Sequence, residues 1–122
     1  MANTTIGEKA LNEKLMPFAG WHLINTDTSI AQWEIHIDGR WKYRGKHEVI
    51  QFSRSLNSCF AWLVPKAIER LRIVYSCELT EAEKRLMGRW LGERDDNHQL
   101  NWTQALCLAI EKIADAEARH GT

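Results

Sequence analysis

The stretch that decides the fold is Ile30-Ala31-Gln32-Trp33-Glu34-Ile35-His36-Ile37-Asp38-Gly39-Arg40-Trp41-Lys42-Tyr43-Arg44. Apolar and polar side chains alternate through its first half. Ala31, Trp33, Ile35 and Ile37 fall on one side, and Gln32, Glu34 and His36 on the other. Period two with one dry and one wet row predicts a half-buried strand. Asp38-Gly39 then interrupts the pattern. Both residues tolerate the positive φ that a type I′ turn demands, so the pair predicts a tight hairpin. Alternation resumes in Arg40-Trp41-Lys42-Tyr43-Arg44, the return strand. Gly45-Lys46-His47 breaks it. Gly20 to Ile24 is expected to pair earlier in the same sheet, and Val49 to Phe52 to add a further strand.

Helical signals flank this sheet. Thr5 and Glu8 have the spacing of a capping box, and Pro17 marks a stop, which predicts a helix over 5–16. Leu56, Phe60, Leu63, Val64, Ala67, Ile68 and Leu71 line one face of a helix over 54–71. Pro65 lies inside that stripe and predicts a kink or two short helices, because it cannot donate a backbone hydrogen bond and crowds the preceding turn. Residues 72–79 carry β-branched and aromatic side chains and suit another strand. Thr80 and Glu83 repeat the capping-box spacing, and Leu86, Met87, Trp90 and Leu91 make a stripe that ends at Gly92. Residues 93–100 are polar and loop-like. Asn101 is a good N-cap for a last helix running through Ala116, with Ala118 to Thr122 fraying. The expected architecture is a single α+β domain over residues 1–122, a small antiparallel sheet with a central hairpin (about 31–44) packed with three to four helices in layers.

Composition narrows the function classes. The chain has 122 residues, 44% hydrophobic and 26% charged, which is ordinary for a globular protein and too apolar for a disordered one. The longest fully apolar runs, Cys59 to Val64 and Ala105 to Ile110, are far too short to span a membrane. Three scattered cysteines (Cys59, Cys77, Cys107) form no disulfide framework, and the N-terminus lacks the order of a secretory signal, so a cytoplasmic location is expected. The six tryptophans are an unusual number. Large side chains filling a limited core account for most of them, with interfaces as the alternative use.

The sequence shows little catalytic patterning. The five histidines have no HxxxH or HExxH spacing and no cysteine pair has CxxC spacing, so neither a metal nor a cofactor is expected. There is no GxSxG elbow, and no glycine-rich phosphate loop. Ser53, Ser55 and Ser58 cluster at a helix start, where serine mainly caps. Cys59 and Cys107 fall within predicted helices and read as packed. Glu93, Asp95 and Asp96 read as a solvated acidic run without calcium-loop spacing.

Net charge is zero but unevenly spread. Residues 38–72 hold eight basic side chains against three acidic ones. The best positive signal is therefore the strand Arg40, Trp41, Lys42, Tyr43, Arg44 with Lys46. Its aromatics project to one face and its cations to the other. Aromatics turned outward could stack on bases, and cations turned outward could meet phosphates. Against both stands a plain edge strand, whose lysines and arginines blunt edge-to-edge pairing.

Two segments resemble a known family. Phe52-Ser53-Arg54-Ser55-Leu56-Asn57-Ser58-Cys59-Phe60-Ala61-Trp62-Leu63-Val64-Pro65 resembles a segment of the phage "ABA sandwich" domain proteins, in which an aromatic-led Ser/Thr-Ser-Leu-Asp stretch opens a helix and leads to Leu-Val-Pro. Asn101 to Ile110 resembles that family's closing helix, and Glu8 to Trp21 is a fainter echo. The resemblance implies a layered α/β domain of phage or prophage origin and supplies no catalytic residues. Asn57 stands where the family has aspartate, and residues 80–92 read as helix where the family has strands. The expected function is a non-enzymatic interaction protein that binds a protein partner or itself. The alternative is a nucleic-acid binder using residues 40–54, extended by Lys66, Arg70 and Arg72, and third comes an enzyme of unrecognised type.

Overall fold

The structure is a computed structural model that describes residues 2–24, 32–45, 48–96 and 98–120, with the backbone alone at 2–6 and 116–120. The chain is α+β. It divides into two compact units, Met1–Gln51 and Phe52–Thr122.

In the first unit, helix α1 (Ala2–Phe18) leads into a three-stranded antiparallel sheet of β1 (His22–Ile24), β2 (Gln32–Ile37) and β3 (Arg40–Gly45), in that spatial order. The hairpin forms as its sequence dictates. Ile37 pairs with Arg40 across the two-residue turn, and Asp38 (φ 53°) and Gly39 (φ 76°) both take the left-handed conformation of a type I′ turn. Trp33 and Ile35 are buried, Ile37, Gln32 and Glu34 half-buried and His36 exposed, so the register is the one the alternation predicts. Ala31 lies outside the described residues. β1 pairs with β2, as expected for residues 20–24.

α1 departs from expectation at both ends. It starts at Ala2, so Thr5 lies inside it, and it includes Pro17. Termination falls instead to Gly20 (φ 105°): its N–H donates to the Pro17 carbonyl (3.0 Å) and that of Trp21 to the Met16 carbonyl (3.1 Å). This reciprocal pair is a Schellman cap, and Met16 and Trp21, the two residues that usually close such a cap by apolar contact, are both buried. A Cβ on Gly20 would come within 3.3 Å of Ile35 Cδ1, so glycine also lets β2 approach.

Residues 48–51 form no strand. The expected strand over 49–52 is replaced by irregular chain and a 3₁₀ turn at Phe52–Arg54, which opens the second unit with Phe52 and Ser53 fully buried. One turn of helix, α2 (Leu56–Ser58), follows, with the Ser55 hydroxyl accepting from the Ser58 N–H (3.1 Å). A π-helical segment, Cys59–Leu63, then joins it to α3 (Val64–Tyr75). The disturbance predicted from Pro65 is therefore real and takes the form of a π turn. Pro65 has no N–H to give Ala61, and the ladder widens so that Val64 N–H reaches Cys59.

The predicted strand over 72–79 is absent. Ile73, Val74 and Tyr75 complete α3, Ser76 (φ 49°) caps it in the left-handed region, and α4 (Leu79–Asp96) begins three residues later. β propensity measures fit to a pleated, half-buried surface, and here the helix has already engaged α4 and α5. Thr80 thus sits inside α4, Gly92 does not end it, and residues 93–96 are helical rather than loop. The helical content of 80–92 agrees with the residue pattern and not with the strands that the family resemblance implies.

α5 (Trp102–His120) starts where predicted. Asn101 Oδ1 accepts from the Gln104 N–H (2.7 Å) while Gln104 Oε1 accepts from the Asn101 N–H (3.2 Å), a full capping box. It continues to His120, past the predicted fraying point. α3, α4 and α5 pack on one another around Leu63, Ala67, Leu71, Leu86, Leu106 and Ile110. Lys112 of α5 pairs with Glu93 of α4. No helix among the described residues is long and apolar enough to cross a membrane.

Candidate functional site

Two surfaces qualify, one on each unit. The first is β3, an edge strand. Its register sets Arg40, Lys42 and Arg44 opposite Ile37, Ile35 and Trp33, while Trp41 and Tyr43 face His36 and Glu34. Directly paired residues project to the same side of a sheet, so the cations share the side of the buried row and the aromatics lie on the outer side. Trp41 and Tyr43 are 53% and 54% exposed. Trp41 stacks at a tilt on His36, ring centres 4.8 Å apart. Arg40 and Lys42 are exposed as well. Arg44 is half-buried with its guanidinium 5.6 Å from the centre of the Trp21 ring, a cation–π contact that roofs a core tryptophan. Lys46 lies outside the described residues. The other proposed cations are on the second unit. There Lys66 and Arg70 are one turn apart on α3, and Arg72, two residues further, projects to another side.

The second surface was not anticipated. Most tryptophans were expected in the core, yet only Trp21 and Trp33 are buried among the six. Trp90 and Trp102 instead build an aromatic cluster where α4 meets the start of α5. Their rings pack edge to face at 6.1 Å, and Phe60 packs against Trp90 in the same manner at 6.1 Å. Trp90 Nε1–H donates to the Trp102 carbonyl (2.7 Å), so its polar end is satisfied while its ring stays half-exposed. Arg94 lies over the Trp102 ring (5.2 Å) and donates to the His98 carbonyl (3.1 Å). Together these contacts pin the turn over 98–101. Beside the cluster runs a groove of about 110 Å³ walled by Phe60, Val64, Ile68, Met87, Trp90 and the acidic Glu83, with Leu86 and Leu106 as part of its floor.

Cys59 and Cys107 approach to 3.5 Å in the core of the second unit. The Cys59 thiol lies 3.1 Å from the Phe52 carbonyl and donates to it, and the two sulfurs are within hydrogen-bonding reach of each other. Both are fully buried and packed, as their helical setting suggested. Their separation of 48 residues hid the contact from any local spacing. Among the described residues no three His, Cys, Asp or Glu side chains converge as metal ligands. No family model matches the chain, and no curated protein or solved structure matches it.

Proposed function

We propose that the chain is a small non-enzymatic interaction protein of the cytoplasm, of phage or prophage origin, that binds a protein partner through the second unit. The observation that carries this is the Phe60–Trp90–Trp102 cluster with Met87 beside it, large apolar side chains left partly in solvent on one helical unit. Binding energy at protein interfaces concentrates in Trp, Tyr and Arg, and methionine suits adaptable apolar surfaces. The groove volume of about 110 Å³ is well under the ~300–1,000 Å³ of small-molecule sites. It suits one anchoring side chain of a partner better than a substrate.

The test is capture from a host lysate on the immobilised full chain, run beside Phe60→Glu. Phe60 is 48% exposed, so the change should leave the fold intact. A protein retained by the wild type and released by the variant is the expected result. Retention unaffected by Phe60→Glu, or none at all, would overturn it.

Outward Trp41 and Tyr43 on an edge strand favour a second reading, binding of single-stranded nucleic acid. Its signature is affinity that falls with salt at a log–log slope of about −0.7 per phosphate contact. With Arg44 engaged on Trp21, Arg40 and Lys42 are the phosphate-binding candidates, and Lys42→Gln should flatten the slope by roughly one contact. An anisotropy titration that finds no binding at low salt would remove this reading.

A further inference from the structure

α4 has two sides. Ala82 and Leu86 lie buried on the inner one. At 3.6 residues per turn, Lys84, Met87, Gly88, Leu91 and Asp95 fall on the opposite side. All five are exposed, Met87 and Leu91 by 51% and 45%. Two features of this outer side are unusual for a solvent-facing helix surface. Aliphatic side chains occupy the positions where a surface helix normally carries charge. Glycine stands in mid-helix at 88, where it is costly relative to alanine, although an added Cβ would meet nothing within 4 Å. The glycine leaves a shallow depression bounded by Thr80, Glu83, Lys84, Met87 and Leu91.

We propose that this side pairs with the same side of a second copy of the chain, the two α4 helices running antiparallel. The inference rests on the protein-binding reading above and names the partner for one face. A two-fold interface must be self-complementary, and this one is on two independent counts. Seating Leu91 over the partner's Gly88 fits a protruding side chain to a depression, and symmetry repeats the fit in reverse. That register, chosen on shape alone, brings Lys84 beside the partner's Asp95. The opposite charges therefore meet twice, at the two ends of the apolar strip. Glu81, on the flank, is held by Arg85 of its own helix at 3.4 Å.

Sedimentation equilibrium of the full chain over a range of concentration and salt tests the pairing. The wild type should show a reversible monomer–dimer equilibrium that weakens with salt. Lys84→Glu or Asp95→Lys alone turns two attractions into two repulsions and should weaken association about tenfold, whereas the combined exchange should recover it to within about threefold. Gly88→Ala should raise the melting temperature of the dilute monomer and yet weaken the dimer, a pair of opposite signs that general destabilisation cannot produce. Phe60→Glu should leave association unchanged. A wild type that stays monomeric to about 0.2 mM, beyond the range of a weak specific complex, would overturn the pairing. So would a charge exchange that fails to recover, or loss of the dimer in Phe60→Glu. Lysate capture that depends on Phe60 in a monomeric wild type would sink this pairing and leave the protein-binding reading standing.

Discussion

Strand β3 and the outer side of α4 both present large apolar side chains to water, but they do so in different company. Trp41 and Tyr43 have cross-strand neighbours in His36 and Glu34, and Trp41 is stacked on its partner's ring. Their exposure is compatible with a contribution to the hairpin itself, since cross-strand pairs stabilise a sheet. Leu91 lies on the side of α4 turned away from Ala82 and Leu86, where a side chain adds nothing to the helical core, and Met87 lies between that side and the groove. An exposed aromatic on a strand can thus be structural, whereas an exposed aliphatic on the far side of a helix points outside its own chain. The difference is measurable as stability.

The largest effect should come from beneath the α4 surface rather than on it. Leu106 is fully buried and forms part of the groove floor under Met87 and Trp90. Leu106→Ala removes buried apolar area and leaves a cavity, at a cost of about 2–5 kcal/mol in urea unfolding. A loss below about 1 kcal/mol would mean that the groove floor is loosely packed, and the contrast between core and outer face would lose its footing.

The same contrast marks where the sequence could be read. The hairpin was legible because its determinants are local: alternation over 32–37, and Asp38-Gly39 for two consecutive positive φ angles. The Asn101 cap and the break at Pro65 were legible for the same reason. Failures arose where a local preference competed with packing. Ile73-Val74-Tyr75 looks extended, and is helical because α3 packs with α4 and α5. On α4, Leu86, Met87, Trp90 and Leu91 read as one stripe and are in fact two. Ala82, fully buried, centres the inner face nearer Leu86, which turns Met87 and Leu91 outward. Counting the small residue would have split the stripe. The Trp90–Trp102 contact and the Cys59–Cys107 approach depend on tertiary structure, and no spacing encodes them.

Next in size is Trp41→Ala on the hairpin. If the ring stabilises β3 through His36, the loss should be about 0.2–1 kcal/mol. A double-mutant cycle with His36→Ala isolates the pair, with a coupling of about half a kcal/mol expected for residues in contact. Zero coupling would make Trp41 as idle in folding as Leu91, and would strengthen the nucleic-acid reading of that strand.

The smallest expected effect is the most informative one. Leu91→Gln replaces an exposed side chain on the outer side of α4 without changing helix propensity much, so at low protein concentration stability should stay within about 0.5 kcal/mol of wild type. Concentration is then the variable that matters. Anything that binds only the folded chain stabilises it by mass action, so a self-associating wild type should melt at a higher temperature as its concentration rises. Leu91→Gln should lose that slope while keeping the dilute melting temperature. Differential scanning calorimetry of both proteins across a hundredfold range, or about that, reads the two quantities from one series. Parallel slopes would take Leu91 out of the interface. A dilute variant that is already destabilised by more than about 1 kcal/mol would instead make Leu91 part of its own fold, and the distinction between the two surfaces would collapse.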